Sequence, residues 1–267
     1  MKSYKEVFKK LKSKKQGALI AFTVIGDPNY KTSLEIVKKI IDAGADILEL
    51  GLPFSDPIAD GPTIQSANLR ALNNGINTDK AFDFVKEIRN YSDIPVGILT
   101  YYNLVYQRGI NKFYSDAKEV GVNSILISDL PIEESEIISK YSKENKVDTV
   151  FMISQLTDDD RIKKIAEKTT GFIYAVARLG VTGAQSSLEE STLTMVKNIR
   201  NLTSNPVCVG FGLSKPSQVS DIIKAGADGA IIGSAIVDLI AKNLDNKEEM
   251  LSKVQNYVGE LKKSTLI

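Results

Sequence analysis

The sequence predicts an α/β protein closed as a (β/α)8 TIM barrel, and three observations carry that expectation. Eight short apolar stretches recur along the chain, continuous rather than alternating, as strands buried on both faces of a parallel sheet are. Amphipathic stretches of helical period separate them, so the strands alternate with helices and all run parallel. The length, 267 residues, suits a barrel of this kind, which runs to about 250 residues as one domain. Residues 1–267 are therefore expected to form a single domain, with an extra N-terminal helix, an extra helix after the second strand and a C-terminal covering helix. A doubly wound open sheet is the structural alternative. It usually has fewer strands, and the first turn here lacks Gly-x-Gly-x-x-Gly.

Residues 4–15 place Tyr4, Val7, Phe8 and Leu11 on one helical face. That apolar stripe is short and holds no Trp, so covering one end of the core is the expectation ahead of a membrane-surface helix. The first strand, 18–24, is broken by Gly26-Asp27-Pro28-Asn29. Residues 32–43 have helical period, and Gly44 sits where a helix C-cap glycine belongs. The second strand, 47–50, runs into a loop holding three prolines and two glycines, and two helical patterns follow at 63–72 and 78–91. The third strand, 96–100, is followed by a helix ending near Val120. Further strands are expected at 124–127, 148–153, 172–176, 207–209 and 229–232, with helices at 133–144, 158–168, 191–201, 217–225 and 247–262. Asp158, Asp159 and Asp160 put acids at a helix start, where the macrodipole favours them. Ala43-Gly44-Ala45-Asp46 and Ala225-Gly226-Ala227-Asp228 are near-copies at helix-to-strand joints, with Val120-Gly121-Val122-Asn123 a looser version.

Composition excludes several classes of function. A net charge of +1 leaves no global field to recruit nucleic acid. No apolar run reaches the ~18 residues of a membrane span, and no apolar h-region follows the charged first residues. The single cysteine, Cys208, rules out an internal disulfide and makes a reducing compartment, the cytoplasm, the default. There is no histidine, so no Ser-His-Asp or Cys-His nucleophile and no histidine-ligated metal. Acid–base chemistry falls to carboxylates, Tyr, Lys or Cys with shifted pKa values.

In a (β/α)8 barrel the active site lies at the C-terminal strand ends and the loops beyond them. Those ends supply Phe22, Glu49, Leu99, Thr100, Tyr101, Leu126, Asp129, Ser154, Tyr174, Arg178, Gly210-Phe211-Gly212 and Gly233-Ser234. Glu49 stands between Leu48 and Leu50. Facing inward, its desolvated carboxyl would hold a proton near neutral pH; the alternative is a buried glutamate paired with a neighbouring lysine or arginine. Asp60 is a second acid on the same rim, from the proline-rich loop. Asp56 is expected in a turn or a partner contact, and Asp129 in a structural hydrogen bond to a loop. Gly180-Val181-Thr182-Gly183, Gly210-Phe211-Gly212 and Gly233-Ser234 cluster on the side where this fold commonly binds phosphate through main-chain N–H groups. No strand end carries a lysine for a Schiff base. The acids are scattered over different strands, a poor arrangement for metal. What remains is carbon–carbon or proton chemistry on a phosphorylated substrate with an apolar part, run by two carboxylates.

Leu52-Pro53-Phe54-Ser55-Asp56-Pro57-Ile58-Ala59-Asp60-Gly61-Pro62, with Glu49 ahead of it and Arg178-Leu179-Gly180-Val181-Thr182-Gly183 later, closely resembles the tryptophan synthase α subunit family. Gly26-Asp27-Pro28, Tyr101-Tyr102-Asn103-Leu104, Asp129-Leu130-Pro131 and Gly233-Ser234-Ala235-Ile236-Val237 extend the likeness over essentially the whole chain. The resemblance implies retro-aldol cleavage of indole-3-glycerol phosphate into indole and glyceraldehyde 3-phosphate. It makes Glu49 the acid–base acting at C3 of the indole ring and Asp60 the carboxylate beside the indole N–H. It assigns Phe22, Leu99, Tyr101, Leu126 and Tyr174 to the indole pocket, and Gly183, Phe211, Gly212, Gly233 and Ser234 to the phosphate. It also implies mobile lids at 53–62 and 179–187, with Thr182 closing toward Asp60. No cofactor or metal is expected in this chain; pyridoxal phosphate belongs to the β subunit implied as partner in an αββα heterotetramer. Two departures stand out: Ala177-Arg178 where the family usually has Ser-Arg, and Ser154-Gln155 where proline is common. Two rivals are a phosphosugar isomerase, which would want a metal or a histidine base, and a non-catalytic barrel that only binds and activates a partner.

Overall fold

The computed structural model describes residues 1–177 and 190–267. Among them the strands are β1 (Ala18–Val24), β2 (Ile47–Gly51), β3 (Val96–Thr100), β4 (Ser124–Ile127), β5 (Asp148–Thr149), β6 (Phe151–Ile153), β7 (Ile173–Val176), β8 (Val207–Gly210) and β9 (Gly229–Ile232). They form one parallel sheet in the order β5-β4-β3-β2-β1-β9-β8-β7-β6. Only Val150 separates β5 from β6. The first piece pairs with β4 and the second with β7, so a single bent segment serves both neighbours and closes the ring. The expected fifth strand, 148–153, is that segment, and the barrel is eight-stranded in connectivity.

The apolar runs are buried along nearly their whole length because the sheet has a core on each face. Outside, Leu19, Ala21, Leu48, Leu50 and Ile98 pack against the helices. Inside, Ala18, Ile20, Ile47, Leu126, Phe172, Tyr174, Cys208 and Ile231 fill the barrel. The N-terminal helix, Tyr4–Ser13, closes the bottom of this interior as expected. Its N-cap Ser3 and Glu6 form a capping box, and Tyr4, Val7, Phe8 and Leu11 are its buried face. The Tyr4 ring meets Phe172 edge to face at 5.5 Å, and its hydroxyl lies 2.7 Å from the Ser124 hydroxyl inside the barrel.

The repeated joints have a common structural task. At each, the residue before a strand turns its side-chain oxygen on the first N–H groups of the preceding strand. Asp46 Oδ2 accepts from Leu19 N–H at 2.8 Å, Asn123 Oδ1 from Val96 N–H at 2.9 Å and Asp228 Oδ2 from Val207 N–H at 2.9 Å. A cation braces each oxygen from a helix: Lys262 on Asp46, Arg89 on Asn123 and Arg200 on Asp228. Buried main-chain donors at the barrel base are satisfied in this way. The sequence similarity of the joints follows from it.

One expectation needs correcting. The helix before Gly121 is two helices, Tyr102–Arg108 and Ile110–Glu119, broken at Gly109. Gly109 has φ of 84°, a left-handed value that a side chain would strain. Helices Ser234–Ala241 and Lys247–Lys263 end the chain. Among the described residues, no helix is long and apolar enough to cross a membrane.

Candidate active site

A cavity of about 290 Å³ opens at the C-terminal end of the barrel, lined by Phe22, Glu49, Asp60, Gly61, Pro62, Thr63, Ile64, Leu99, Tyr174, Phe211, Gly212, Gly233 and Ser234. It thus brings together residues from β1, β2, β3 and β7, the proline-rich loop, and the turns after β8 and β9.

Glu49 is the middle residue of β2, level with Phe22 on β1 and Gly97 on β3. The strand pleat turns it inward, since Leu48 and Leu50 on either side face the outer core. It is 4% exposed, and its Oε2 is buried with no hydrogen-bond partner. Burial pushes its carboxyl up to about 8, with no cation among the described residues to draw it back. The groups near enough to sense its charge are Tyr4, Tyr174 and Cys208, all held neutral by burial. The paired-glutamate alternative finds no partner among the described residues. A carboxylic acid kept protonated through neutral pH is left facing the cavity.

Asp60 comes from the loop between β2 and the helix Pro62–Asn73. Its main-chain N–H donates to Pro57 O at 3.0 Å, and its carbonyl accepts from Gln65 Nε2 at 2.8 Å. Burial raises its carboxyl above the usual aspartate range, and the polar groups of Tyr101 and Asn68 nearby oppose that rise. The two acids therefore differ in character: among the described residues Glu49 is solitary, whereas Asp60 has polar neighbours that favour its anion. Pairs of carboxyls in contrasting environments divide proton-donating and charge-stabilising roles between them.

On the opposite side, the turn after β8 carries Phe211 at φ 72° and Gly212 at φ 74°. Left-handed backbone at a phenylalanine is strained by about 1–3 kcal/mol and persists where the surroundings hold it. Here the Phe211 ring meets Tyr174 edge to face at 6.0 Å. Just before it, Gly210 lies so close to Tyr174 that an added Cβ would be 2.3 Å from the phenol oxygen. The helix Ser234–Ala241, with Gly233 as its N-cap, points its first N–H groups at the same region. These main-chain donors suit a phosphate without any cationic side chain.

The other residues singled out in the sequence are placed as follows. Phe22, Leu99 and Tyr174 line the cavity, whereas Leu126 is buried in the barrel interior and Tyr101 stands behind the proline-rich loop. Asp129 accepts from Tyr102 N–H at 2.7 Å, the loop-holding bond anticipated for it. Asp56 accepts from the Ser55 hydroxyl at 2.5 Å within a turn. Ser154 bonds within its own loop to Thr157, and Gln155 Nε2 reaches Ser191 Oγ at 3.0 Å. Arg178, Thr182 and Gly183 lie outside the described residues. Sequence reasoning missed Thr63 and Ile64, on the first turn of the helix Pro62–Asn73, and Tyr4, which lies buried in the barrel interior within range of the Glu49 charge; no local pattern separates them from helix packing. Among the described residues, no three of Cys, Asp or Glu gather to hold a metal ion.

Comparison with known proteins identifies the family of the chain. The family model described as tryptophan synthase alpha chain matches residues 8–266. The tryptophan synthase alpha chain of Methanothermobacter thermautotrophicus is 45% identical over 260 residues, covering 97% of this chain and 95% of that one. That of Cronobacter sakazakii is 41% identical over 267 residues, covering 100% and 99%. Among solved structures, a chain from the tryptophan synthase a2b2 complex of Pyrococcus furiosus superposes with a TM-score of 0.87 at 38% identity, covering 92% and 98%. A protein from Aquifex aeolicus gives a TM-score of 0.90 at 35% identity over the full length of both chains.

Proposed function

This chain belongs to the tryptophan synthase alpha chain family and is a lyase of tryptophan biosynthesis, and on that premise we propose that it breaks the carbon–carbon bond of indole-3-glycerol phosphate by a retro-aldol reaction. The observation that carries the reading is a buried Glu49, unpartnered among the described residues, facing the same cavity as Asp60. The substrate phosphate is held by main-chain N–H groups around Phe211, Gly212, Gly233 and Ser234. The indole lies against Phe22, Leu99 and Tyr174, with Leu126 deeper in the barrel.

Glu49 donates its proton to indole C3, and the ring nitrogen takes up positive charge beside the Asp60 carboxylate. The side-chain hydroxyl on the carbon attached to C3 then loses its proton and becomes the aldehyde carbonyl. The electron pair of the broken bond returns to the ring, restoring indole. Glu49, now a carboxylate, takes that hydroxyl proton, which leaves it ready for another turnover. Proton transfers of this kind contribute about 10²–10⁴-fold each. No cofactor enters the scheme.

The partner we propose is a β subunit that carries the pyridoxal phosphate and consumes the indole, in an αββα assembly in the cytoplasm. Three large apolar side chains stand out at the cavity end of the barrel: Ile58 (86% exposed), Tyr106 (64%) and Leu156 (92%). They come from the segments that follow β2, β3 and β6, Tyr106 from the helix Tyr102–Arg108, and mark a rim suited to a protein partner. The test is indole release from indole-3-glycerol phosphate, with and without a β subunit, by the wild type and by Asp60→Asn. The reading expects release by the wild type and a loss of at least ~10²-fold in the variant. Wild-type turnover by Asp60→Asn would refute it.

A further inference from the structure

We propose that Thr63 is a specificity-determining residue whose hydroxyl binds the middle hydroxyl of the substrate's three-carbon chain; this rests on the reading above of indole-3-glycerol phosphate as the substrate. Among the described residues, the polar side chains lining the cavity are Glu49, Asp60, Thr63, Tyr174 and Ser234. Glu49 and Asp60 serve the ring and the hydroxyl beside it, Ser234 stands at the phosphate end, and the Tyr174 phenol oxygen packs against Gly210. Thr63 is left without a task. A threonine inside a helix commonly turns its hydroxyl back on a carbonyl three or four residues behind. Thr63 is the second residue of the helix Pro62–Asn73, so those carbonyls belong to Ala59 and Asp60, before the helix begins. That of Asp60 accepts instead from Gln65 Nε2 at 2.8 Å. The half-buried Thr63 hydroxyl, unpartnered among the described residues, is therefore left to the cavity.

Its place along the cavity matches the middle of the chain. The helix Pro62–Asn73 packs against the helix Ser234–Ala241, and both begin at the cavity. Thr63 thus lies on the wall between Asp60, just before it in sequence, and the main-chain donors at Gly233 and Ser234. A chain running from a ring beside Asp60 to a phosphate on those donors carries its middle carbon past this wall. Of its three carbons, the first bears the hydroxyl that becomes the aldehyde and the third bears the phosphate. Only the middle hydroxyl has no partner in the scheme. A polar group left unpaired on closing the site costs binding, so a waiting partner separates the hydroxylated chain from one that lacks the hydroxyl.

The test compares wild type, Thr63→Val and Thr63→Ser on two compounds: indole-3-glycerol phosphate and the analogue lacking only the middle hydroxyl. The readout is kcat/KM for indole release or, where the analogue is not cleaved, its inhibition constant. Thr63→Val keeps the branched shape and deletes the hydroxyl; Thr63→Ala serves should that variant not fold. Either should lower kcat/KM for indole-3-glycerol phosphate by about fivefold to tenfold, and the loss should vanish with the analogue. Thr63→Ser keeps the hydroxyl and should restore most of the preference. Equal losses on both compounds would make Thr63 a piece of helix packing and overturn the proposal, as would no loss on either. The two levels separate cleanly. If the wild type releases no indole from indole-3-glycerol phosphate, the reading of the reaction fails and this proposal with it; if it does while Thr63→Val keeps the wild-type preference, only the role of Thr63 fails.

Discussion

Replacing Glu49 by glutamine should abolish indole formation and at the same time make the protein more stable at neutral pH. In the unfolded chain a glutamate ionises near its ordinary value of 4.5, whereas in the folded barrel this one keeps its proton up to about 8. Across that window folding must bind a proton that the unfolded state has already released. Stability is therefore fully present below 4.5, falls by about 1.4 kcal/mol per pH unit above it, and levels off beyond the folded value. Glutamine has a similar shape and no such titration. The stability of Glu49→Gln relative to wild type should thus rise by about 3 kcal/mol between about pH 5 and about pH 7.5. Comparing the change with pH removes any constant difference from the new amide. The assay is urea denaturation of both proteins across that range, with indole release measured on the same preparations. Parallel stability profiles would refute the reasoning, because they would mean that Glu49 is ionised in the folded protein or has found a partner.

The pH dependence of wild-type kcat/KM should be bell-shaped, since the mechanism needs Glu49 protonated and Asp60 ionised. Activity should fall on the alkaline side near the Glu49 value of about 8, and on the acid side at a point above the ordinary aspartate range. A profile flat through pH 8 to 10 would rule out neutral Glu49 as the proton donor. Gly210→Ala drives a methyl group to 2.3 Å from the Tyr174 phenol oxygen, so that ring must shift within the cavity wall. We expect kcat/KM to drop on the order of 10²-fold, and an unchanged value would show the ring to be dispensable. Asp228→Ala leaves Val207 N–H without its side-chain acceptor and Arg200 without its carboxylate, a loss of about 2 kcal/mol by chemical denaturation. Asp228→Asn should recover more than half of that, since Asn123 performs the same task in another joint. Equal losses in both variants would show that the ion pair, not the main-chain bond, matters there.

Family membership of this kind leaves the division between chain and fold easy to see in particular residues. The apolar runs and helical periods were enough to state a closed parallel barrel, because burial on both faces leaves no polar alternation in a strand. The absence of histidine confined the chemistry to carboxylates, and the place of Glu49 among leucines already marked it as costly and purposeful. The joints at Asp46, Asn123 and Asp228 could be seen as a repeat in the chain, but their common acceptor role needed neighbouring strands side by side. Gly109 broke a helix that periodicity alone read as continuous, because a left-handed φ leaves no mark on hydrophobic spacing.

Contacts across the barrel had no local signature at all. The grip of Tyr101 on Ala59 spans two βα units. The contact of the Tyr4 hydroxyl with Ser124 joins the N-terminal plug to the barrel interior. That Glu49 has no partner among the described residues depends on every side chain facing it across the interior, and only closing the ring decides which those are. Spacing along one strand specifies which way a carboxyl points; what it meets there is settled by seven other strands.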